Sequence, residues 1–186
     1  TESFSTIDGV IVSIRSMMGI EKNFFDLFPI EFIYGDATVM NDVNNVIITE
    51  SLANMHGGKD AIGKKLNLGG FLDLTVAAVI PDFNDTMFAD EQIVVNLGHS
   101  RFDHRRERSL YTSSNGILSV IKVNEKTDEN ELLKKIDEVY GKDISERARR
   151  DSYLSLTRLD KIYTSENNSG YDGLKKGNAR LLTAFS

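Results

Sequence analysis

Residues 44–68 read NNVIITESLANMHGGKDAIGKKLNL, and this stretch carries the clearest local signals for the fold. The apolar run that starts at Val46 is typical of a short buried strand. TESLAN then predicts a short helix with Thr49 as its N-cap, and Gly57-Gly58 ends it. KLNL, which follows at residues 65–68, predicts a further strand. The stretch therefore predicts the order strand, helix, turn, strand.

Residues 58–65, GKDAIGKK, match the phosphate-binding pattern G-x-x-x-x-G-K-[ST] at every position except the last. A phosphate-binding loop needs a strand before it and a helix after it, so that backbone N–H groups converge on the phosphate. Here the predicted helix comes first and the strand second. Lys65 also stands where a hydroxyl should bind magnesium, and an ammonium has no lone pair. We interpret the match as a turn and predict no nucleotide or other cofactor.

The flanking segments predict more strands. Past a turn at Gly69-Gly70, FLDLTVAAVI is rich in β-formers and ends at Pro81. The further predictions are a strand in VIVSIRSMMG (10–19), a short helical turn in NFFDLF (23–28) ended by Pro29, and strands in IEFIY (30–34) and QIVVNL (92–97).

The second half of the chain predicts a β-α-β unit. GILSVIKV (116–123) and YLSLTRL (153–159) have strand character. Between them, TDENELLKKIDEVYG predicts a helix with a capping box made by Asp128 and Glu131, and with Gly141 at its end. A helix with one apolar stripe between two strands predicts an α+β protein in which the helix packs on a sheet.

Composition excludes several classes of function. The chain has 186 residues, 40% of them apolar, and no apolar run long enough to span a membrane. A net charge of −6 argues against nucleic acid as a partner, because such binding needs lysines and arginines that meet phosphate. The basic stretch RFDHRRER (101–108) is broken by acids and is typical of a solvated surface. The chain has no cysteine, which excludes thiol catalysis and disulfides.

No catalytic or metal-binding spacing is present in the sequence. The histidines, His56, His99 and His104, do not have the i, i+4 spacing of a helical zinc pair. The acids from Asp82 to Glu91 do not follow the calcium-loop pattern. Ser51 lacks the flanking glycines of a nucleophile elbow. The sequence therefore predicts neither an enzyme nor a metal site.

The loop PDFNDTMFADEQ (81–92) is the candidate binding element. It is polar, yet it contains three large apolar side chains, Phe83, Met87 and Phe88. These side chains must either fold inward or contact a partner, because exposed apolar surface is unfavourable in water. We predict Phe83, Met87 and Phe88 as contacts for a partner.

Four stretches, taken in order, resemble one family. They are NFFDLFPIEFIYGD (23–36), residues 44–68 above, LTVAAVIPDFNDTMF (74–88) and LDKIYTSENNSGYDGLKKGNARLL (159–182). The third departs from the family pattern VxGVxxDFPxNSHF, with Ala78 for glycine and Asn84-Asp85-Thr86 for its Pro-x-Asn-Ser stretch. The sequence resembles the MacB-like periplasmic core domain of FtsX-like ABC transporter permeases, in the form common in Bacteroidetes.

The resemblance implies an architecture and a location. It implies an α+β porter-like subdomain with βαβ-type units, formed by residues 1–43 and 113–165 and interrupted by a smaller mixed α/β inserted subdomain, residues 44–112. Residues 166–186 would form a juxtamembrane tail. The domain would lie in the periplasm, between the first and second transmembrane helices of an inner-membrane protein.

Two functions remain open from the sequence. The first is a non-catalytic permease domain that couples cytoplasmic ATP hydrolysis to transport or mechanotransmission. Its partners would be an ABC ATPase subunit, reached through the transmembrane part, and a second permease copy, with a periplasmic protein as a further candidate. The second is an extracytoplasmic sensor or binding module that recognises a peptide, a lipid or a protein. The residues beyond 186 would discriminate, because three further transmembrane helices favour the first function and a single flanking helix the second.

Overall fold

A mixed β-sheet of seven strands organises the first part of the chain. The structure is a computed structural model, and it describes residues 4–84, 86, 88, 90–103, 119–143 and 156–159. The chain divides into two units, residues 1–103 and 104–186, and the sheet belongs to the first. The strands are β1 (Ser5–Ile7), β2 (Val10–Val12), β3 (Met17–Ile20), β4 (Asn45–Thr49), β5 (Lys65–Leu68), β6 (Leu72–Ile80) and β7 (Ile93–Asn96).

The strand order in the sheet is β2-β1-β5-β6-β4-β7-β3. The pairs β4–β6 and β3–β7 are parallel, and the other neighbours are antiparallel. Strand β4 lies inside the sheet, and its residues from Val46 to Thr49 are buried. A strand covered on both faces has no polar face to show, which explains why its sequence is a continuous apolar run.

One irregularity in the pairing of β4 with β6 reverses the side of the sheet on which the β6 side chains lie. Along β4, Val46 pairs with Val76 but Ile47 pairs with Ala78, so Ala77 is an extra residue in the pairing. Leu74 and Val76 therefore belong to the core on one face, and Ala78 and Ile80 to the core on the other. The cause is the two-residue period of a strand, since one added residue reverses every side chain beyond it.

Residues 44–68 fold in the predicted order. Helix α2 (Glu50–Asn54) follows β4 directly, and a 3₁₀ turn (Gly58–Ala61) connects it to β5. Thr49 occupies the N-cap position, but its side chain makes no capping bond and its buried Oγ1 has no hydrogen-bond partner. The predicted helix and the predicted N-cap position of Thr49 are confirmed.

The predicted turn at Gly69-Gly70 is confirmed. Strands β5 and β6 pair from Lys65↔Thr75 to Leu68↔Leu72. Gly69 and Gly70 have φ of 55° and 75°, in the left-handed region that glycine adopts without a steric penalty. Phe71 N–H donates to the Leu68 carbonyl at 3.0 Å and closes the turn.

One predicted strand is divided in two, and another is not formed. Residues 10–19 form two strands, β2 and β3, which lie at opposite edges of the sheet. The chain between them crosses the sheet, and there Arg15 N–H donates to Gln92 Oε1 at 2.7 Å. Residues 30–34 form no strand, and only Tyr34 makes a bridge, to Val79. The predicted short helical turn is confirmed, because helix α1 covers Phe24–Leu27 and ends before Pro29.

In the second unit, helix α3 (Glu129–Asp143) confirms the predicted helix. Glu131 N–H donates to Asp128 Oδ1 at 2.8 Å, which confirms the predicted cap. The helix runs through Gly141 to Asp143, so the predicted end is wrong. Residues 119–123 and 156–159, predicted as parts of strands, are not in strands. The rest of both predicted strands lies outside the described residues.

The α+β class is confirmed by this mixed sheet and these few helices. Strands from both sides of residue 44 share the sheet, and residues 113–118, 144–155 and 160–165 lie outside the described residues. The division into residues 1–43 with 113–165, an insert of 44–112 and a tail of 166–186 stays a prediction. Among the described helices, none is both long and apolar enough to cross a membrane.

Candidate functional site

The segment that resembles a phosphate-binding loop uses its own backbone donors. Gly63 N–H donates to the Val76 carbonyl at 2.8 Å, and Lys64 N–H donates to the Ala61 carbonyl at 3.2 Å. Lys64 Nζ donates to the carbonyl of His56 at 2.7 Å. A phosphate site needs free N–H groups and a free lysine, and these are occupied by the protein itself. The interpretation as a turn from helix to strand is confirmed.

The loop after β6 folds its first phenylalanine into the core. Phe83 is 6% exposed and belongs to the apolar cluster that includes Ile47, Ile80 and Val94. Phe88 is half-buried and packs against the same cluster. Met87 lies outside the described residues. Of the three predicted partner contacts, Phe83 therefore has almost no surface to offer, and the role of the three in binding stays a prediction.

Phe88 connects the loop to helix α1. Its ring centroid lies 5.8 Å from that of Phe83, 5.8 Å from that of Phe24 and 5.6 Å from that of Phe28, all in edge-on geometry. Phe28 stacks on Phe24 at 4.8 Å. Edge-on and stacked ring pairs are the favoured geometries, since the ring edge is positive and the face negative.

We call these rings and their neighbours on α1 the aromatic patch: Phe24, Phe25, Phe28 and Phe88. Phe25 meets Phe24 at 5.4 Å, and all four side chains are half-buried. The sequence pattern predicts only a helical turn for Phe24, Phe25 and Phe28. The signal was the density of aromatic residues in NFFDLF, but nothing local showed that Phe88 would join them.

Side-chain and backbone hydrogen bonds hold the loop at both ends. At its start, Ser51 Oγ on α2 donates to Asp82 Oδ2 at 2.5 Å. Within it, Thr86 Oγ1 donates to the Phe83 carbonyl at 2.7 Å and accepts from Phe88 N–H at 3.1 Å. At its end, Glu91 N–H donates to the Phe88 carbonyl at 2.9 Å. These bonds fix the backbone on both sides of Phe88, whose ring lies on the rings of α1.

Glu91 is the titratable group with the most unusual environment in this region. Its Oε2 is buried and has no hydrogen-bond partner. Burial raises the pKa of Glu91, a hydrogen bond from the Ser16 side chain opposes the rise, and the nearby Asp90 charge adds to it. Glu91 precedes β7, whose neighbour β3 begins just after Ser16. The carboxyl therefore lies where the loop joins the edge of the sheet.

No group of three or more histidine or acidic side chains in the described part of the chain could hold a metal ion. His99 Nδ1 accepts from Arg101 N–H at 3.1 Å, which is a local cap. Burial, and then the charge of Lys64, lower the pKa of His56. Ser51 lies beside Asp82, and no histidine contact with it is observed among the described residues. His104 lies outside them.

Comparison with known proteins supports the resemblance seen in the sequence. A family model described as the MacB-like periplasmic core domain matches residues 3–139, which is more than half of the chain. No curated protein sequence matches this chain.

Two solved structures are similar in fold. One is a domain of a permease protein from Porphyromonas gingivalis, with a TM-score of 0.57 and 18% identity over 76% of this chain. The other is the periplasmic region of MacB from Actinobacillus actinomycetemcomitans, with a TM-score of 0.52 and 13% identity over 77% of this chain. The chain spans 65% of the length of each.

Proposed function

Because the chain belongs to the family of MacB-like periplasmic core domains, we propose that it is a non-catalytic domain that couples cytoplasmic ATP hydrolysis to transport or mechanotransmission. Domains of this family are the periplasmic parts of ABC transporter permeases in the inner membrane. The observation that carries the proposal is the family match, which covers residues 3–139 and so includes parts of both units.

Coupling of this kind works through shape and contact. ATP hydrolysis would move the flanking membrane segments, and these would move the domain between two arrangements that each nucleotide state favours differently. The partners would be an ABC ATPase subunit, reached through the transmembrane part, and a second copy of the permease. The movement that we propose is that of one unit relative to the other.

Crosslinking in the full-length permease tests this proposal. The chain has no cysteine, so two can be introduced without background reaction. One replaces the exposed Asp60 in the first unit, and the other is moved along the exposed face of α3, at Glu129, Lys134 or Glu138. A cleavable bismaleimide joins them. At least one fully crosslinked pair should keep ATPase activity, lose transport in proteoliposomes and regain it when the linker is cleaved.

A matched control uses the same chemistry within one helix. Glu131→Cys with Lys135→Cys places both cysteines one turn apart on α3, where the native side chains form an ion pair of 2.7 Å. This crosslink should leave transport unchanged. If every pair that crosslinks completely between the units also transports at the normal rate, relative movement of the units is not the mechanism.

A second candidate function is recognition of a periplasmic partner. The observation that favours it is the aromatic patch, which collects four half-buried phenylalanines at one place. Of the residues first proposed as contacts, Phe83 would act from the core by supporting Phe88. Phe88 and the rings of α1 would provide the contacting surface, and Met87, which lies outside the described residues, stays a predicted contact.

A further inference from the structure

The aromatic patch has features that distinguish it from ordinary core packing. Its rings come from two segments far apart in the chain, α1 and the loop after β6, and each ring keeps part of its surface in solvent. Phe88 rests on the buried Phe83, so the patch is anchored in the core. Aromatic side chains, phenylalanine among them, are enriched at protein interfaces relative to the rest of the surface.

Most of the charged residues in the two segments that supply the rings are acidic. Residues 21–32 and 82–92, which supply its rings, contain seven acidic residues and one lysine. Among the acidic residues, Asp26 and Glu31 are exposed on the α1 side and Asp90 is exposed on the loop side. An apolar centre with an acidic surround is complementary to a segment with an apolar stripe flanked by lysines or arginines.

The same charges argue against a membrane surface as the occupant. Anionic lipid attracts basic residues near an apolar insertion surface, and this surface is acidic. Nucleic acid is excluded for the same reason.

We propose that the aromatic patch, with its acidic surround, is a docking site for a basic amphipathic segment of a periplasmic partner protein. This inference deepens the second candidate function above and names the chemistry of the partner. The partner's apolar stripe would lie on Phe24, Phe28 and Phe88, and its basic residues would face Asp26, Glu31 and Asp90. The acidic groups would speed association and select against acidic segments.

A peptide-binding experiment with the whole 186-residue chain tests the proposal. The probe is a fluorescein-labelled peptide of leucine and lysine, arranged as an amphipathic helix, and its binding is followed by anisotropy. The counter-probe has glutamate in place of lysine. The lysine peptide should bind with saturation and the glutamate peptide should not. The assay contains no ATPase or membrane, so its failure leaves the coupling proposal untouched.

Variants locate the binding. Asp26→Lys and Phe28→Ser should each weaken binding about tenfold. Asp60→Lys makes the same change of net charge at an exposed position elsewhere, and Phe71→Ser removes an exposed ring from the β5–β6 turn. Both controls should bind within about twofold of the parent. Urea unfolding shows whether each variant still folds. If Phe28→Ser does not fold, Asp26→Lys still tests the proposal, because Asp26 is exposed and its replacement should not disturb the fold.

Three outcomes would overturn the proposal. The first is an absence of saturable binding of the lysine peptide. The second is equal weakening by Asp26→Lys and Asp60→Lys, which would show attraction to the net charge alone. The third is sedimentation with vesicles of phosphatidylglycerol and phosphatidylethanolamine that Phe28→Ser abolishes, because a lipid surface would then be the occupant.

Discussion

Replacing Phe83 by alanine separates its role in the core from a role in binding. The Phe83 side chain is 6% exposed, lies in the cluster with Ile47, Ile80 and Val94, and meets Phe88 edge-on at 5.8 Å. Phe→Ala in a core costs about 3–5 kcal/mol, because both the transfer free energy and the contacts around the new cavity are lost. We expect the Phe83→Ala variant to lose this amount from its free energy of unfolding.

Two matched variants set the scale. Phe88→Ala removes a half-buried ring of the same size, so we expect about half the cost, roughly 2 kcal/mol. Phe71→Ala removes a ring that is 50% exposed, and we expect a change of less than about 1 kcal/mol.

Urea unfolding followed by far-UV circular dichroism measures all three variants. With a slope of about 1–3 kcal/mol per molar urea, Phe83→Ala should lower the unfolding midpoint by roughly 2 M. A cost for Phe83→Ala no larger than that for Phe71→Ala would refute the reasoning. The side chain would then contribute little to the core, and a direct contact with a partner would again be open to it.

Three further predictions concern the turn, the loop and the sheet. Lys64→Ala should not change the heat of mixing with Mg-ATP in calorimetry, because the parent chain should bind no nucleotide; micromolar binding that Lys64→Ala abolishes would contradict this. The pKa of Glu91 is raised in the folded state, so the folded chain favours the protonated carboxyl. The stability that this protonated carboxyl contributes is fully present below the unfolded pKa of about 4.3 and is lost as pH rises through the folded pKa. Glu91→Gln should therefore gain stability relative to the parent between pH 4 and pH 8 in urea unfolding. A stability difference between Glu91→Gln and the parent that does not change with pH would exclude this cause. Asn96→Ala should lower the free energy of unfolding by about 2–4 kcal/mol in the same assay. The reason is that Asn96 Nδ2 donates to the Met40 carbonyl at 2.6 Å and Asn96 Oδ1 accepts from Gly98 N–H at 2.6 Å. A loss below about 1 kcal/mol would mean that water replaces both bonds.

Local signals in the sequence predicted those elements that local chemistry determines. The turn at Gly69-Gly70 needs two residues with positive φ, and glycine supplies them. The cap of α3 needs a side-chain oxygen at Asp128 three residues before a free N–H at Glu131. The order of helix, turn and strand in residues 44–68 was also readable, and it was enough to reject a phosphate-binding loop.

Family membership could also be predicted from the sequence, because it rests on the order of several motifs rather than on any contact. The site could be predicted only in part. Phe83 and Phe88 were recognised as apolar residues in a polar loop, but which of them would be buried was not readable. Burial depends on the residues that cover a side chain, and those come from other segments.

The tertiary structure alone decided which strands are neighbours. Residues 10–19 have one strand-like pattern, yet β2 and β3 lie at opposite edges of the sheet. The extra residue at Ala77 places Ala78 and Ile80 on the face opposite to Leu74 and Val76. The same arrangement brings Phe88 onto Phe24 and Phe28. Periodicity in a sequence reports that one face of an element is buried, but the hydrophobic effect has no direction and any apolar face can cover another. The choice among covering faces is therefore made by the packing of the whole chain.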